Sequence, residues 1–255
     1  MYNLKTLRIK ERYKAPCHTL AVLLIKSLTN VLLKNKCDCI ALSGGIDTSV
    51  IAALAKRVGM SLRAYTSIYV EGTPRDLPYV NYLEKVLGFK INYIWIDKEY
   101  IEDKIDIIRR CVRTNDYIEL RNDLVFYSVL EKALNDKCKC IYIGSGGDEV
   151  FVGYSYMIYS LSKDLANLTV KYAANGHYPE LILGKCLGIK VVAPYLSEEV
   201  LSIALRLPIS CLRGVLMRGK ELLRYILKSL GLDIIADRAK TPAEAGTGTD
   251  VIASL

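Results

Sequence analysis

Glutamine is missing from all 255 residues. A low content of thermolabile amides is a thermophile trait, and retained asparagine keeps that inference modest. Missing too, on inspection, is any stretch long and apolar enough to span a membrane. The nearest, residues 20–33 (LAVLLIKSLTNVLL), follows several basic residues as a signal peptide would. Lys26 breaks it, however, and Leu20, Leu24, Leu28 and Val31 recur at helical spacing. That spacing predicts an amphipathic helix beside a sheet and implies a cytoplasmic protein. A stripe of Lys and Arg with interleaved aromatics is also lacking. Thirty-five basic and 27 acidic residues give a net charge of +8, but the charges are scattered. Scatter argues against a nucleic-acid surface, and for solvated surface plus a polyanionic ligand.

What is present suits one α/β domain. A chain of 255 residues, 51% hydrophobic, buries a large core and is not disordered. Periodicity predicts a helix at 18–34, strand 38–43, helix 48–58, strand 61–68, helix 76–87, strand 90–96, helices 98–112 and 122–136, and strand 140–144. Alternation of this kind implies a parallel sheet with right-handed crossovers. From 155 onward helices dominate, at 156–174, 178–187, 197–206 and 219–230. The chain thus divides into an α/β core over 18–154 and a helical cap with a Gly-rich tail over 155–255. The tail after Thr241 is expected to order over phosphates.

The most informative segment is Ser43-Gly44-Gly45-Ile46-Asp47-Thr48-Ser49, between an apolar strand and a helix. Gly44 and Gly45 allow a tight turn whose N–H groups approach an anion, and the following helix points its positive end there. Ser43, Thr48 and Ser49 add hydroxyl donors. Asp47 fits an anion site if it holds a Mg²⁺ that phosphates share. The pattern points to ATP pyrophosphate. A second strand ends in Gly144-Ser145-Gly146-Gly147-Asp148-Glu149, followed by Val-Phe-Val-Gly153-Tyr154. In parallel sheets ligands bind at the carboxyl ends of strands, so both turns face one site, with Asp47 and Asp148 sharing the metal.

Together these motifs resemble the asparagine synthetase family, among the pyrophosphate-loop enzymes that form AMP. Downstream, Ala193-Pro194-Tyr195-Leu196-Ser197, Gly219-Lys220-Glu221-Leu222-Leu223-Arg224, Arg238-Ala239-Lys240 and Gly246-Thr247-Gly248 resemble later family segments in order. The resemblance runs from about residue 18 to about 250. It implies a Rossmann-like parallel sheet flanked by helices, of the adenine nucleotide alpha hydrolase type. It implies ATP and Mg²⁺ as cofactors and a ligase that adenylates a carboxylate, aspartate by default, for attack by ammonia. Lys220 would hold the pyrophosphate charge, Arg121 would contact substrate or phosphate, and Arg238 and Lys240 the triphosphate. For the last three a surface ion pair is the competing reading. Leu42 and Thr66 would flank adenine, and Gly146 and Gly147 would line the nucleotide site. A Walker A reading of Gly214 to Glu221 fails, because the last position should be Ser or Thr.

The departures concern the acceptor. Ser145 stands where many members carry an acid that handles protons. The family's Glu-x-Arg-x-Pro-Phe-Leu-Asp appears as Lys190-Val-Val192-Ala-Pro-Tyr-Leu-Ser197. Ser is no general base at neutral pH without a partner. Three readings follow: acids supplied elsewhere, another carboxylate or amide (with Lys190 reading an anionic substrate), or nucleotide binding without turnover. Glutamine-using members begin Met-Cys and carry a glutaminase domain; here Tyr2 follows Met1. Free ammonia or a separate glutaminase subunit would supply nitrogen. A homo-oligomer is compatible with this. The runner-up class is another pyrophosphate-loop enzyme, including one acting on an RNA base, for which Cys111 would be the catalytic cysteine.

Eight cysteines include two matched pairs, Cys37 and Cys39 before the first turn, Cys138 and Cys140 before the second. Both pairs lie equally far from their turns, which sets Cys39 beside Cys140 and Cys37 beside Cys138 if the strands are neighbours about 4.8 Å apart. The plain reading is small buried hydrophobes. Disulfides, admissible in a hyperthermophile cytosol, are the alternative, with zinc or sulfur-transfer chemistry third.

Overall fold

In the computed structural model, which describes residues 11–253, five short parallel strands form one sheet. Met1 and Tyr2, on which the expectation about a glutaminase domain rests, lie outside the described residues. The strands are β1 (Cys39–Ala41), β2 (Arg63–Tyr69), β3 (Ile91–Ile96), β4 (Ile141–Tyr142) and β5 (Val191–Val192), in the order β3-β2-β1-β4-β5. The chain builds outward from β1 to β3, then returns to add β4 on the other side. That reversal between β1 and β4 is a topological switch point, and the crevice at their carboxyl ends is where such sheets bind ligands.

Helices cover both faces. On one lie α1 (Cys17–Asn35), α2 (Ile46–Arg57) and α3 (Leu77–Leu87). On the other lie α4 (Lys98–Val112) and α5 (Tyr117–Asn135). Short helices α6 (Gly147–Phe151), α7 (Ser155–Ile158), α8 (Ser162–Asn175) and α9 (Pro179–Leu187) precede β5. After it come α10 (Glu198–Ala204), α11 (Ile209–Arg213), α12 (Glu221–Ser229), α13 (Asp233–Ala236) and α14 (Ala243–Thr247). α12 packs on α1 and α2, and α9 packs on α4 and α5, so the later helices complete both layers.

Several elements differ from the sequence expectation for local reasons. α5 starts at Tyr117 rather than 122, because the Asp116 carboxylate accepts from the N–H groups of Ile118 and Glu119. The expected helix at 156–174 breaks between α7 and α8. β5 lies where no strand was expected, and two residues are too few for a periodic signal. α1 is long and apolar enough to cross a membrane by length and composition, which corrects the reading that no stretch is. Seven of its residues, including Leu20, Leu24, Leu28 and Val31, are buried, as the spacing predicts. Lys26 sits on its exposed face and leaves that stripe intact.

The cysteine expectation is corrected in register. β1 pairs with β4 as Cys39↔Ile141 and Ile40↔Tyr142, one residue from the alignment that equal distances suggest. The bonds are therefore crossed: Cys37 to Cys140, with Cα atoms 4.7 Å apart, and Cys39 to Cys138, 6.1 Å apart. Cys37 and Cys140 belong to the core on the α1 face, Cys39 and Cys138 to the core on the α5 face. Cys17–Cys211 ties α1 to α11, and Cys111–Cys186 ties α4 to α9. All eight cysteines are thus bonded, not plain hydrophobes. The bond to Cys186 removes Cys111 as a free thiol, and the bond between Cys39 and Cys138 removes the thiolates beside Asp38 that zinc would need.

Candidate active site

A cavity of about 590 Å³ opens at the carboxyl ends of β1, β2 and β4. Its floor at β1 is the Ser43–Ser49 turn. Gly45 caps α2, which begins at Ile46, two residues before the expected start. Gly44 has φ +68°, and a Cβ there would lie 2.9 Å from the Tyr79 Cβ and 3.1 Å from the Val80 nitrogen. The left-handed backbone and the close approach of α3 both require glycine. The Ser43 hydroxyl accepts from the Gly45 N–H at 3.2 Å and lies 3.2 Å from the Thr48 hydroxyl. Ser43, Gly45, Asp47 and Thr48 line the cavity, as do Leu42 and Thr66.

The second turn packs against the first. A Cβ on Gly144 would lie 3.0 Å from Thr48 Cγ2, and one on Gly147 would fall on the Asp47 carboxyl. Between the turns stands Lys220, the residue before α12. Its Nζ lies 2.5 Å from Asp47 Oδ2 and 2.9 Å from Asp148 Oδ1. Lys240 Nζ reaches the same Asp148 oxygen at 2.9 Å while lying 3.9 Å from the centre of the Tyr154 ring. Burial raises the Asp47 carboxyl despite Lys220. Burial acts the same way on Asp148, but Lys220 and Lys240 together outweigh it and hold that carboxyl below its ordinary value. Lys220 is raised: burial opposes its charge, and Asp148 and Asp47 prevail.

Residues of the later segments, with Asp76, hold this arrangement. Tyr195 is fully buried, and its hydroxyl donates to the Asp47 carbonyl at 2.8 Å. Arg224 donates to the carbonyls of Gly219, Ala236 and Arg238, which ties the Lys220 turn to the Arg238 segment. Arg238 pairs with Asp76, donates to the Ser43 carbonyl at 3.4 Å and lies 4.2 Å from the Tyr79 ring centre. The tail meets the same loop, since the Asp76 N–H donates to the Gly246 carbonyl at 2.9 Å. Asp76 carried no signal in the sequence, because its partner Arg238 lies 162 residues away.

The cavity has a basic side and an acidic side. Arg218, Lys220, Arg224, Arg238 and Lys240 line it from the C-terminal segment. Asp123, Glu149 and Glu180 line it from α5, α6 and α9. Asp123 is 1% exposed, and its Oδ2 has no partner among the described residues. Burial pushes it up to about 7, with Glu119 and Glu180 adding to the effect. Burial pushes Glu180 up to about 7 as well, against a pull from the Ser145 hydroxyl. Glu149 is raised by burial, although Tyr154 donates to it at 2.5 Å. No Lys or Arg among the described residues contributes to the shift of Asp123 or Glu180.

Ser145 and Gly146 line the cavity too. Other expected residues lie elsewhere. Ser49 is fully buried in α2 and lies behind the cavity wall. Arg121 donates to the Asp250 carbonyl at 3.1 Å and lies 4.8 Å from the Tyr117 ring centre, outside the cavity lining. Lys190 is exposed and precedes β5, at the amino ends of the strands, so it reads no substrate in this cavity. Ser197 caps α10, accepting from the Val200 N–H at 3.3 Å.

Comparisons with known proteins bear on the family and the fold. Residues 20–181 match the family described as asparagine synthase. A putative glutamine-hydrolysing asparagine synthetase of Methanocaldococcus jannaschii is 31% identical over 255 residues, covering 81% of this chain and 45% of that protein. A glutamine-hydrolysing asparagine synthetase of Sandersonia aurantiaca is 26% identical over 187 residues, covering 65% of this chain and 34% of that one. The chain thus spans less than half the length of either relative. The solved structure of NMN synthetase from Francisella tularensis superposes with a TM-score of 0.50, covering 90% of this chain and 77% of its own at 15% identity. That likeness is one of fold.

Proposed function

The chain belongs to the asparagine synthase family, and we propose that it is an AMP-forming, ATP-dependent amide ligase with aspartate as the default substrate. The observation that carries the reading is the pair of glycine-rich turns at the switch point, with Asp47, Asp148 and Lys220 converging between them.

The N–H groups of the Ser43–Gly45 turn and the start of α2 would cradle the leaving pyrophosphate. Leu42 and Thr66 would flank the base. The substrate carboxylate attacks the α-phosphorus, an acyl–O–P bond forms, and the bond to pyrophosphate breaks. Lys220 and Lys240 stabilise the charge that collects on the leaving group, while Arg238 holds the turn that contacts it. Asp47 and Asp148 fit a divalent cation, since both carboxylates point at one ammonium position and Asp47 Oδ1 is buried without a partner among the described residues. A Mg²⁺ held there would neutralise charge on the phosphates. Ammonia, free or from a separate glutaminase subunit, then displaces AMP. The α/β core carries the nucleotide, and the segment after 155 supplies Lys220 and Glu180. We place the protein in the cytoplasm of a hyperthermophile, where four disulfides are sustainable.

A second reading has its own support. The acidic side favours a carboxylate substrate that also carries a basic nitrogen over one with a further carboxylate. ATP–pyrophosphate exchange with Mg²⁺ at elevated temperature tests both readings, with aspartate and then a panel of amino-bearing carboxylates. Exchange that needs aspartate, with asparagine formed on adding ammonia, is the expected result. Exchange only with another carboxylate keeps adenylation and discards aspartate. ATP binding without exchange discards the self-sufficient ligase.

A further inference from the structure

Ser145 stands at the junction of the two sides of the cavity. Its neighbour Gly144 packs on Thr48 of the phosphate turn, and its own hydroxyl faces the carboxyl of Glu180 across from α9. Ser145 is about nine-tenths buried and lines the cavity, and its hydroxyl forms no well-aligned hydrogen bond among the described residues. Two further acids face the same space. Glu149 is engaged by the Tyr154 hydroxyl. Asp123 is almost wholly enclosed in α5. Glu180 retains some exposure toward the cavity, where its neighbours are Ser145, Glu149, Asp123 and Tyr178.

We propose that Glu180 is the catalytic proton acceptor of the ligation step, doing from α9 what an acidic residue at position 145 would do from the second turn. The proposal rests on the adenylation reading above. The nitrogen lone pair of ammonia attacks the acyl carbon and a C–N bond forms. The Glu180 carboxylate takes one proton from that nitrogen. The acyl–oxygen bond breaks, its electron pair leaves on AMP, and the amide remains. No oxidant or further reactant is needed. Ser145 acts as a positioning residue, and its small side chain leaves room for the carboxyl that would otherwise stand there. Burial keeps the Glu180 carboxyl close to neutrality in basicity, which suits a group that must accept and then release a proton near pH 7.

The test compares Glu180→Gln with the unmodified protein in two assays, using whichever carboxylate of the panel supports exchange. The expected result is amide formation lower by roughly 10²–10⁴-fold, a loss at least about tenfold greater than any loss of ATP–pyrophosphate exchange. Amide formation in the unmodified protein should rise with pH through a step near neutrality, and the variant should lack that step. Ser145→Glu in the Glu180→Gln background should restore part of the lost amide formation. Equal loss of exchange and ligation would overturn the proton role, since Glu180 would then serve substrate binding. Full ligation by Glu180→Gln would overturn it too. Absence of exchange in the unmodified protein would instead overturn adenylation itself, and the proton step with it.

Discussion

Lys220 reaches Asp47 across 173 residues of sequence and closes to 2.5 Å. Lys220 is buried and Asp47 is largely so, and Asp148 completes the triad. Removing a buried cation leaves two carboxylates facing one another. Lys220→Met is therefore expected to lose about 3–5 kcal/mol of stability in urea titrations. Mg²⁺ should raise the melting temperature of the variant more than that of the unmodified protein. Equal Mg²⁺ effects on both would mean that Asp47 and Asp148 do not hold the ion.

Gly147→Ala sets a Cβ onto the Asp47 carboxyl. It should weaken the stabilisation by MgATP at least tenfold in apparent affinity, about 1.4 kcal/mol. Gly59→Ala is the control. Gly59 has φ +75° but open space around it, so that variant pays only the left-handed backbone, about 1–2 kcal/mol, and keeps MgATP binding. Loss of MgATP binding in both would point to general destabilisation.

The crossed bridges can be mapped chemically. Cleavage after Lys139 separates Cys138 from Cys140, and cleavage before Asp38 separates Cys37 from Cys39. Mass spectrometry of the unreduced digest should then find Cys37 with Cys140 and Cys39 with Cys138. Recovery of Cys37 with Cys138 would contradict the strand register. Cys37→Ser with Cys140→Ser should lower stability by about 2–5 kcal/mol.

The acidic side sets a pH dependence of stability. Asp123 moves from 3.8 to about 7, and Glu180 from 4.5 to about 7. Between about pH 4 and 7 the native state keeps protons that the unfolded chain has released, so stability falls as pH rises through that window and levels off above it. Glu119 and Glu180 face Asp123 and add to the effect of burial. Asp123→Asn should flatten the slope and be more stable than the unmodified protein at about pH 8. A variant with the same slope would mean that Asp123 is ionised throughout.

The readable part of the site was the local part. Ser43–Ser49 and Gly144–Glu149 are contiguous, and each carries its own strand, turn and helix start. With the parallel sheet that the alternation of strands and helices implied, they sufficed to predict the meeting of Asp47 with Asp148. Glu180 and Asp123 gave no local signal, because their chemistry arises only when α5 and α9 fold against the second turn. Ser197 looked like a lost acid and is a helix cap. The cysteine spacing was visible, but a one-residue offset in β1 against β4 exchanged the partners. Asp116 was a visible cap that would have corrected the start of α5.

The bridges Cys37–Cys140 and Cys39–Cys138 join the amino ends of β1 and β4, one above the sheet and one below. The turns that carry Asp47 and Asp148 sit at the opposite ends of the same two strands. Riveted on both sides, the strands can neither slide nor splay, so the gap between the two turns is a fixed aperture. Tyr154, Lys220 and Lys240 line the same cavity from segments that neither of these two bridges ties. The two turns at the cavity floor are thus held at a set separation by covalent bonds at the far ends of their own strands.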